Sequence, residues 1–458
     1  MKIRVENLGY IHSGEVNLDR NLTVFIGKNQ TGKTYLTYTL FSLFGYSNFP
    51  LPSSIFRAYV DSMMETDFCQ IALEDFLENH LEAINKALSD QLTASLGQFF
   101  ALPEKFFEET RISIEENFNI DNIKAGYEIA RQERRFMDPV VTLSFSKNDE
   151  TDQLLLNFSL TRKMLREEQV KPYLQNYFSR VLQILMFPTP YFSVAERSAF
   201  NLFLNEFRLI LGGKIDRKGR KRVDLSNNNI DNIIQQLPYP HIDYLFNLNR
   251  GRKTGTGIPH ASKYLEQMVL EGQVIQDETG SFTFETRVKK GEHSLSIPLK
   301  ATASLVKSLA HFNVLVREQL SPGNVLFIDE PEINLHPDNQ YHLARVIAML
   351  ANAGVKVVVS THSLTFIQEL NNLMMLAQLE ESTEKTSIMN QCGYLPEMEL
   401  APNRVRAYLF DENKIKNLDV SETGIGMQAL NTILGDLNRI TRRLFAELQK
   451  QEPTNDDE

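Results

Sequence analysis

The chain predicts an α/β fold, and three apolar, branched runs carry that prediction. LTVFIG (22–27), VLFI (325–328) and VKVVVS (355–360) each read as a buried strand. Such runs lack the alternation of a half-exposed strand and suit a sheet covered by helices on both faces. Each run also stops at polar side chains, and the tips of such strands are where ligands bind.

The first strand leads into GKNQTGKT (27–34), where Gly27, Gly32, Lys33 and Thr34 fit G-x-x-x-x-G-K-[ST]. After it, YLTYTLFSLFGY (35–46) sets Leu36, Leu40 and Phe44 at four-residue spacing, a helix signal with a glycine near its end. A strand, a glycine turn and a helix start crowd backbone N–H groups around one small space. Unpaired donors and the positive helix end then favour a phosphate there. The expected binding set is Gly27, Lys28, Asn29, Gly32, Lys33, Thr34 and Tyr35. Lys33 would reach the β- and γ-phosphates of ATP, and the Thr34 hydroxyl would ligate Mg²⁺. The bland alternative is a chance glycine turn carrying a lysine; the strand before and the helix after argue against it.

The second strand ends in two carboxylates, within NVLFIDEPE (324–332). Two adjacent acids capping a buried strand seldom serve stability, because burying them costs free energy unless a cation compensates. Asp329 is expected to bind Mg²⁺, and Glu330 to polarise an attacking water. The third strand runs into THS and places His362 at another strand tip. A lone histidine is usually structural, but this one follows a phosphate loop and an acid pair in order, so a γ-phosphate contact is expected.

Composition bounds the rest. At 458 residues, 42% hydrophobic and 23% charged, the chain has the make-up of a globular protein of two or three lobes. No apolar run approaches the length of a membrane span. MKIRVENLGY at the start alternates like a strand and lacks the apolar core of an export signal, so a cytoplasmic protein is expected. The two cysteines, Cys69 and Cys392, are far apart and predict neither a disulfide framework nor a zinc site. A net charge of −10 argues against a general polyanion binder but is silent on local patches.

Organisation follows from the pattern along the chain. Residues 1–50 hold strands, a turn at HSGEVN and the phosphate loop, and 51–135 read as a helical insertion. Within it, ALEDFLENHLEAINKAL (72–88) puts Leu73, Leu77, Leu81, Ile84 and Leu88 on one face, for the core or for a dimer. Residues 136–200 read as a β subdomain, with a hairpin of VVTLSFS (140–146) and LLLNFSL (154–160), then PYFSVAERS (190–198) passing from strand to polar turn. Residues 201–312 read as a helical lobe with two basic loops. One carries Lys214, Arg217, Lys218, Arg220, Lys221 and Arg222 against Asp216, the other Arg250, Arg252 and Lys253. Such loops either contact nucleic acid or an acidic partner, or are simply solvated. Residues 313–400 return to the core, and 401–458 read as a hairpin and a helix.

The phosphate loop, FIDEPEINLHP and VVVSTHS together resemble the ABC-type ATPase heads of the SMC and recombination-repair class. That resemblance implies an ABC-type P-loop head with a β subdomain and large helical insertions, and an enzyme that hydrolyses ATP. It makes INLHPDN (333–339) a D-loop, with His336 in the family's LHP position. ATASLVKSLAHF (301–312) resembles the family's signature helix in its SSGVKxL form, with Ser304 and Lys307 matching. Leu305 stands where the family has Gly. PYFSVAERS resembles the family's YIPAER segment and fills the Q-loop slot, with Glu196 and Arg197 as candidates. In this class the signature reaches the phosphate loop of a second copy, so the resemblance implies a homodimer of heads around two ATPs, and a higher homo-oligomer is expected.

No membrane domain, long coiled-coil arm or acidic Toprim-like constellation is evident in the sequence. The whole most resembles the stand-alone ATPases of bacterial anti-phage defence systems. VRAYLF (405–410), Gly424-Ile425 and Leu430-Asn431 are similar to the ending of the PARIS-type ATPase subunit, with the Septu ATPase next. The resemblance implies a sensor and scaffold that restrains a separate effector, a Toprim or HNH nuclease, until a phage protein triggers release. A DNA-end or DNA-repair ATPase, binding nucleic acid through the basic loops, is the other expectation.

Overall fold

A computed structural model describes residues 1–45, 52–115, 123, 138–147, 153–161, 167–203, 236–249, 257–277, 281–287 and 294–426. The basic residues Lys214, Arg217, Lys218, Arg220, Lys221, Arg222, Arg250, Arg252 and Lys253 lie outside the described residues, as does the expected C-terminal helix.

The first strands are β1 (Lys2–Leu8), β2 (Ile11–Asn17) and β3 (Leu22–Gly27). HSGEVN, expected as a turn, lies within β2 instead. The chain reverses earlier, pairing Leu8 with Ile11 across Gly9, which takes the left-handed conformation (φ 57°) that glycine adopts without penalty. Helix α1 (Lys33–Gly45) leaves the phosphate loop, followed by α2 (Ser53–Thr66), β4 (Phe68–Ala72), α3 (Leu73–Ala94), α4 (Leu96–Phe100) and β5 (Arg111–Ile114). On α3 the buried stripe includes Leu73, Leu77, Ile84 and Leu88, and adds Phe76 and Leu92. The stripe faces the protein's own core.

Next come β6 (Val141–Lys147), β7 (Leu154–Leu160), α5 (Glu167–Met186), β8 (Pro190–Ser193) and α6 (Arg197–Leu202). The hairpin expected at 140–160 is present, with Val141 opposite Leu160. Its β7 also pairs with β4, so this small antiparallel sheet draws a strand from the stretch read as a helical insertion. After α7 (Tyr239–Asn249) and α8 (Pro259–Met268), strands β9 (Gly272–Gln276), β10 (Phe282–Thr286) and β11 (Ser296–Pro298) form a second small antiparallel sheet. That sheet was not anticipated in a stretch read as helical. Helix α9 (Ser304–Glu318) leads into β12 (Val325–Asp329), α10 (Pro337–Asn352), β13 (Lys356–Thr361), α11 (Leu364–Leu376) and the hairpin of β14 (Val405–Asp411) with β15 (Lys414–Leu418).

Among the described residues nine strands make the main sheet, in the order β5-β1-β2-β15-β14-β3-β13-β12-β8. The five from β14 to β8 run parallel. The three predicted strands are thus neighbours, with β13 between the phosphate-loop strand and the acid strand. Every residue of β3 and β12 is buried, as expected of strands covered on both faces. An aromatic cluster locks α1 onto the sheet. Phe41 and Phe44 of α1 meet the Phe327 ring at 5.7 Å, and Phe192 of β8 stacks on Phe327 at 6.2 Å. Truncating Phe327 to Ala would cost about 3–5 kcal/mol, the usual range for a buried ring. The α/β class is therefore the observed one. Among the described residues no helix is long and apolar enough to cross a membrane.

Candidate functional site

The loop between β3 and α1 is shaped by two left-handed residues, Gln30 (φ 63°) and Gly32 (φ 96°). A Cβ at Gly32 would sit 2.6 Å from Ile11 Cγ1, and one at Gly27 would sit 2.6 Å from the Phe410 carbonyl. Both positions therefore demand glycine. Thr31 Oγ1 ties the loop by donating to Lys28 O at 2.8 Å. Lys28 and Asn29 stand exposed at its crest. Lys33 folds back, its Nζ donating to Gly27 O at 2.9 Å and to Lys28 O at 2.7 Å. Burial depresses the lysine pKa, and the carboxylates of Glu330, Asp329 and Glu332 oppose that shift.

The acid strand meets this loop directly. Thr34 Oγ1 donates to Asp329 Oδ2 at 2.9 Å, and Ser360 Oγ donates to the other oxygen, Oδ1. Asp329 is almost wholly buried, and burial pushes its carboxyl up to about 6; the bonds from Ser360 and Thr34 pull the other way. Glu330 follows at a left-handed φ of 48°, its N–H donating to Ser360 O at 3.0 Å. A glutamate in that conformation is strained and is held by its surroundings. His362 Nδ1 lies 3.9 Å from Glu330 Oε1 and 3.4 Å from Glu332 Oε1.

Sequence reasoning missed Glu332. Its buried Oε1 accepts from Thr361 Oγ1 (2.8 Å), His362 N (2.8 Å) and Ser363 N (3.1 Å). The carboxylate thus sits at the start of α11, where free N–H groups and the helix dipole favour a negative charge. Its position two residues beyond Glu330 was the available signal. Ser360, the last residue of VKVVVS, was likewise unassigned.

The structure brings together Gly27, Lys28, Asn29, Gly32, Lys33 and Thr34 of the loop with Asp329, Glu330 and His362. It does not bring in the Tyr35 ring, Ser304, Lys307 or His336. Tyr35 stacks on Phe100 at 5.0 Å and its ring lies against Gly9, so its ring serves packing. Ser304 is exposed at the first turn of α9, and Lys307 is half-buried there. Among the described residues neither has a hydrogen bond or ion pair to residues 27–34. His336 caps α10, with Nδ1 accepting from Asp338 N at 3.4 Å.

The two Q-loop candidates part company. Glu196 is exposed and bonds His241 Nε2 at 2.9 Å, and that bond holds its pKa below the usual carboxylate value. Arg197 is buried, with every donor engaged by the protein, and cannot serve as a nucleotide contact.

A glycine-shaped loop, a lysine curled over it and a hydroxyl–carboxylate pair beneath it define a P-loop nucleotide site. The chain belongs to the AAA ATPase domain family (AAA_15), whose model matches residues 1–367. Among solved structures it is similar to the SMC head domain from Thermotoga maritima, at 8% identity and TM-score 0.31, covering 92% of this chain and 98% of that one. It is also similar to the Smc head with an extended coiled coil bound to the C-terminal domain of ScpA, from Pyrococcus furiosus, at 10% identity and TM-score 0.30, covering 95% and 98%. A Smc head bound to the C-winged helix domain of ScpA matches at 10% identity and TM-score 0.33, covering 92% and 97%. No curated protein matches the chain.

Proposed function

We propose that this chain is an ABC-type ATP hydrolase, converting ATP and water to ADP and phosphate, and that its ATP cycle is a switch. One observation carries the reading: Thr34 of the phosphate loop bonds Asp329 of the acid strand, with Lys33 curled over the same loop and Glu330 adjoining. The residues suit a magnesium-bound triphosphate. Thr34 and Asp329 offer hard oxygen donors, and the raised carboxyl of Asp329 marks a buried charge that a cation would relieve. Bound there, Mg²⁺ would neutralise charge on the phosphate oxygens.

The protein's own groups then divide the work. Lys33 exchanges its two carbonyl partners for β- and γ-phosphate oxygens. The N–H groups of 27–34 cradle the phosphates. Glu330 orients and polarises the attacking water, and His362 touches the γ-phosphate side. Ser304 and Lys307 act in trans: exposed on α9, they complete the site of a second copy, so that two heads clamp two ATPs. Hydrolysis removes the bridging phosphate and opens the pair.

The attached role is that of a cytoplasmic sensor and scaffold in anti-phage defence, holding an effector nuclease of Toprim or HNH type until a phage protein arrives. What supports it is the resemblance of the motifs and of the 405–431 ending to such ATPases. Purification from the native host, followed by mass spectrometry and an ATPase assay, tests it. A co-purifying nuclease is the expected result. DNA binding that weakens steeply with salt, with no protein partner, would replace it with the DNA-end reading.

A further inference from the structure

Arg197 is 1% exposed, yet among the described residues no carboxylate forms an ion pair with its guanidinium. All five of its N–H groups are nevertheless used. Nε donates to Ser308 Oγ at 3.1 Å; Nη1 donates to the carbonyls of Val194 (3.1 Å) and Asp329 (3.0 Å); Nη2 donates to those of Glu330 (2.9 Å) and Pro331 (3.1 Å). Three of these carbonyls are consecutive and bracket Glu330, the residue with the left-handed backbone. The fifth bond reaches α9, one turn beyond Ser304.

Burying a cation without a paired anion is costly, and burial does lower the Arg197 pKa, with Glu332, Asp329 and Glu330 only partly compensating through space. A well-packed apolar side chain would serve stability better. What the guanidinium provides is a fixed fork that grips two elements at once. Its helix, α6, repeats the connection on both sides. Asn201 Nδ2 donates to Lys307 O on α9 at 2.8 Å, and Ser198 Oγ accepts from Asn334 Nδ2, beyond the acid turn, at 3.1 Å.

We propose that Arg197 is a positioning residue that couples α9 to the Glu330 turn. A shift of α9 on engaging the second copy is transmitted by the guanidinium to the carbonyls of 329–331, and so to the Glu330 carboxylate. The inference rests on Glu330 as the water-orienting group, and its test separates the two ideas.

Arg197→Lys removes the fork, and Ser308→Ala removes the α9 bond together with the hydroxyl's own bond to Ile333 O at 3.4 Å. Each is assayed for kcat, KM for ATP, melting temperature and amide hydrogen exchange, beside Glu330→Gln. The expected result is a loss of kcat of about tenfold or more with KM within about threefold, as for a misplaced catalytic group. Exchange at 329–333 should rise while exchange in β3 and α1 does not change, and the loss in the double variant should fall short of the sum of the two single losses. Parental kcat in both variants, or unchanged exchange at 329–333, overturns the coupling while leaving a slow Glu330→Gln enzyme in place. A parallel collapse of kcat, KM and melting temperature in both variants shows a merely structural residue and also overturns it. Normal turnover by Glu330→Gln would sink the Glu330 reading, and the proposed coupling to catalysis with it.

Discussion

The Thr34 hydroxyl and the Asp329 carboxylate, 295 positions apart in sequence, lie 2.9 Å apart in the fold. That bond joins the helix end of the phosphate loop to the tip of the acid strand. It exists because β3 and β12 are separated only by β13 in one parallel sheet. Between the two motifs the chain adds β5 and β8 to that sheet and, among the described residues, builds two small antiparallel sheets.

Asp329 should make stability depend on pH. Its carboxyl is raised from 3.8 to about 6, so the folded state holds the proton more tightly than the unfolded chain. That contribution is fully present below the unfolded value, shrinks as pH rises, and is lost above about 6. Asp329→Asn stays uncharged and escapes the penalty. In metal-free buffer the variant should gain on the parent between pH 4 and 6, by at most about 3 kcal/mol, and the gap should then level off. Urea unfolding at stepped pH checks this; parallel curves would count against the buried charge.

Lys33→Ala removes the lysine that donates to the loop carbonyls beside the acid cluster. Nucleotide affinity should fall by at least about a hundredfold, two charge-assisted bonds being lost at about 1.5–3 kcal/mol each. Isothermal titration with ATP and Mg²⁺ measures it. Parental affinity would contradict the loop assignment.

Glu330→Gln should retain nucleotide and slow turnover by about 10²–10⁴-fold, the usual contribution of a positioned base. Single-turnover assays separate the two effects. Equal losses in binding and turnover would point to a structural role.

The three strands, the loop and the acid pair were legible in the sequence because each rests on local pattern. An apolar run has one reading when it is buried on both faces, and G-x-x-x-x-G-K-T dictates its own turn. Glu332 and Arg197 were not legible in the same way. Glu332 owes its place to Thr361, His362 and Ser363, which reach it only through the pairing of β12 with β13. Arg197 was read as a Q-loop candidate, whereas three of its four carbonyl partners come from a turn 132 to 134 positions away. The strands β9 to β11 escaped because they are short and were absorbed into a stretch read whole as a helical lobe. HSGEVN looked like a turn from its polar and glycine content, but its pairing with β1 outweighs that local preference.

Glu332→Ala should destabilise the fold by about 2–4 kcal/mol, because two backbone N–H groups and the Thr361 hydroxyl lose their shared acceptor. Glu332→Gln retains an acceptor oxygen and should cost less. Denaturant melts of both variants check the order. Equal stability of Glu332→Ala and the parent would show that water replaces the carboxylate without loss.

The most direct test of the account is a structure of the Glu330→Gln protein with ATP and Mg²⁺. It should show the triphosphate against Lys33, the metal between Thr34 and Asp329, and Ser304 of the partner subunit at the γ-phosphate. Nucleotide bound away from the loop, or Ser304 remote from every phosphate in every copy, would contradict it.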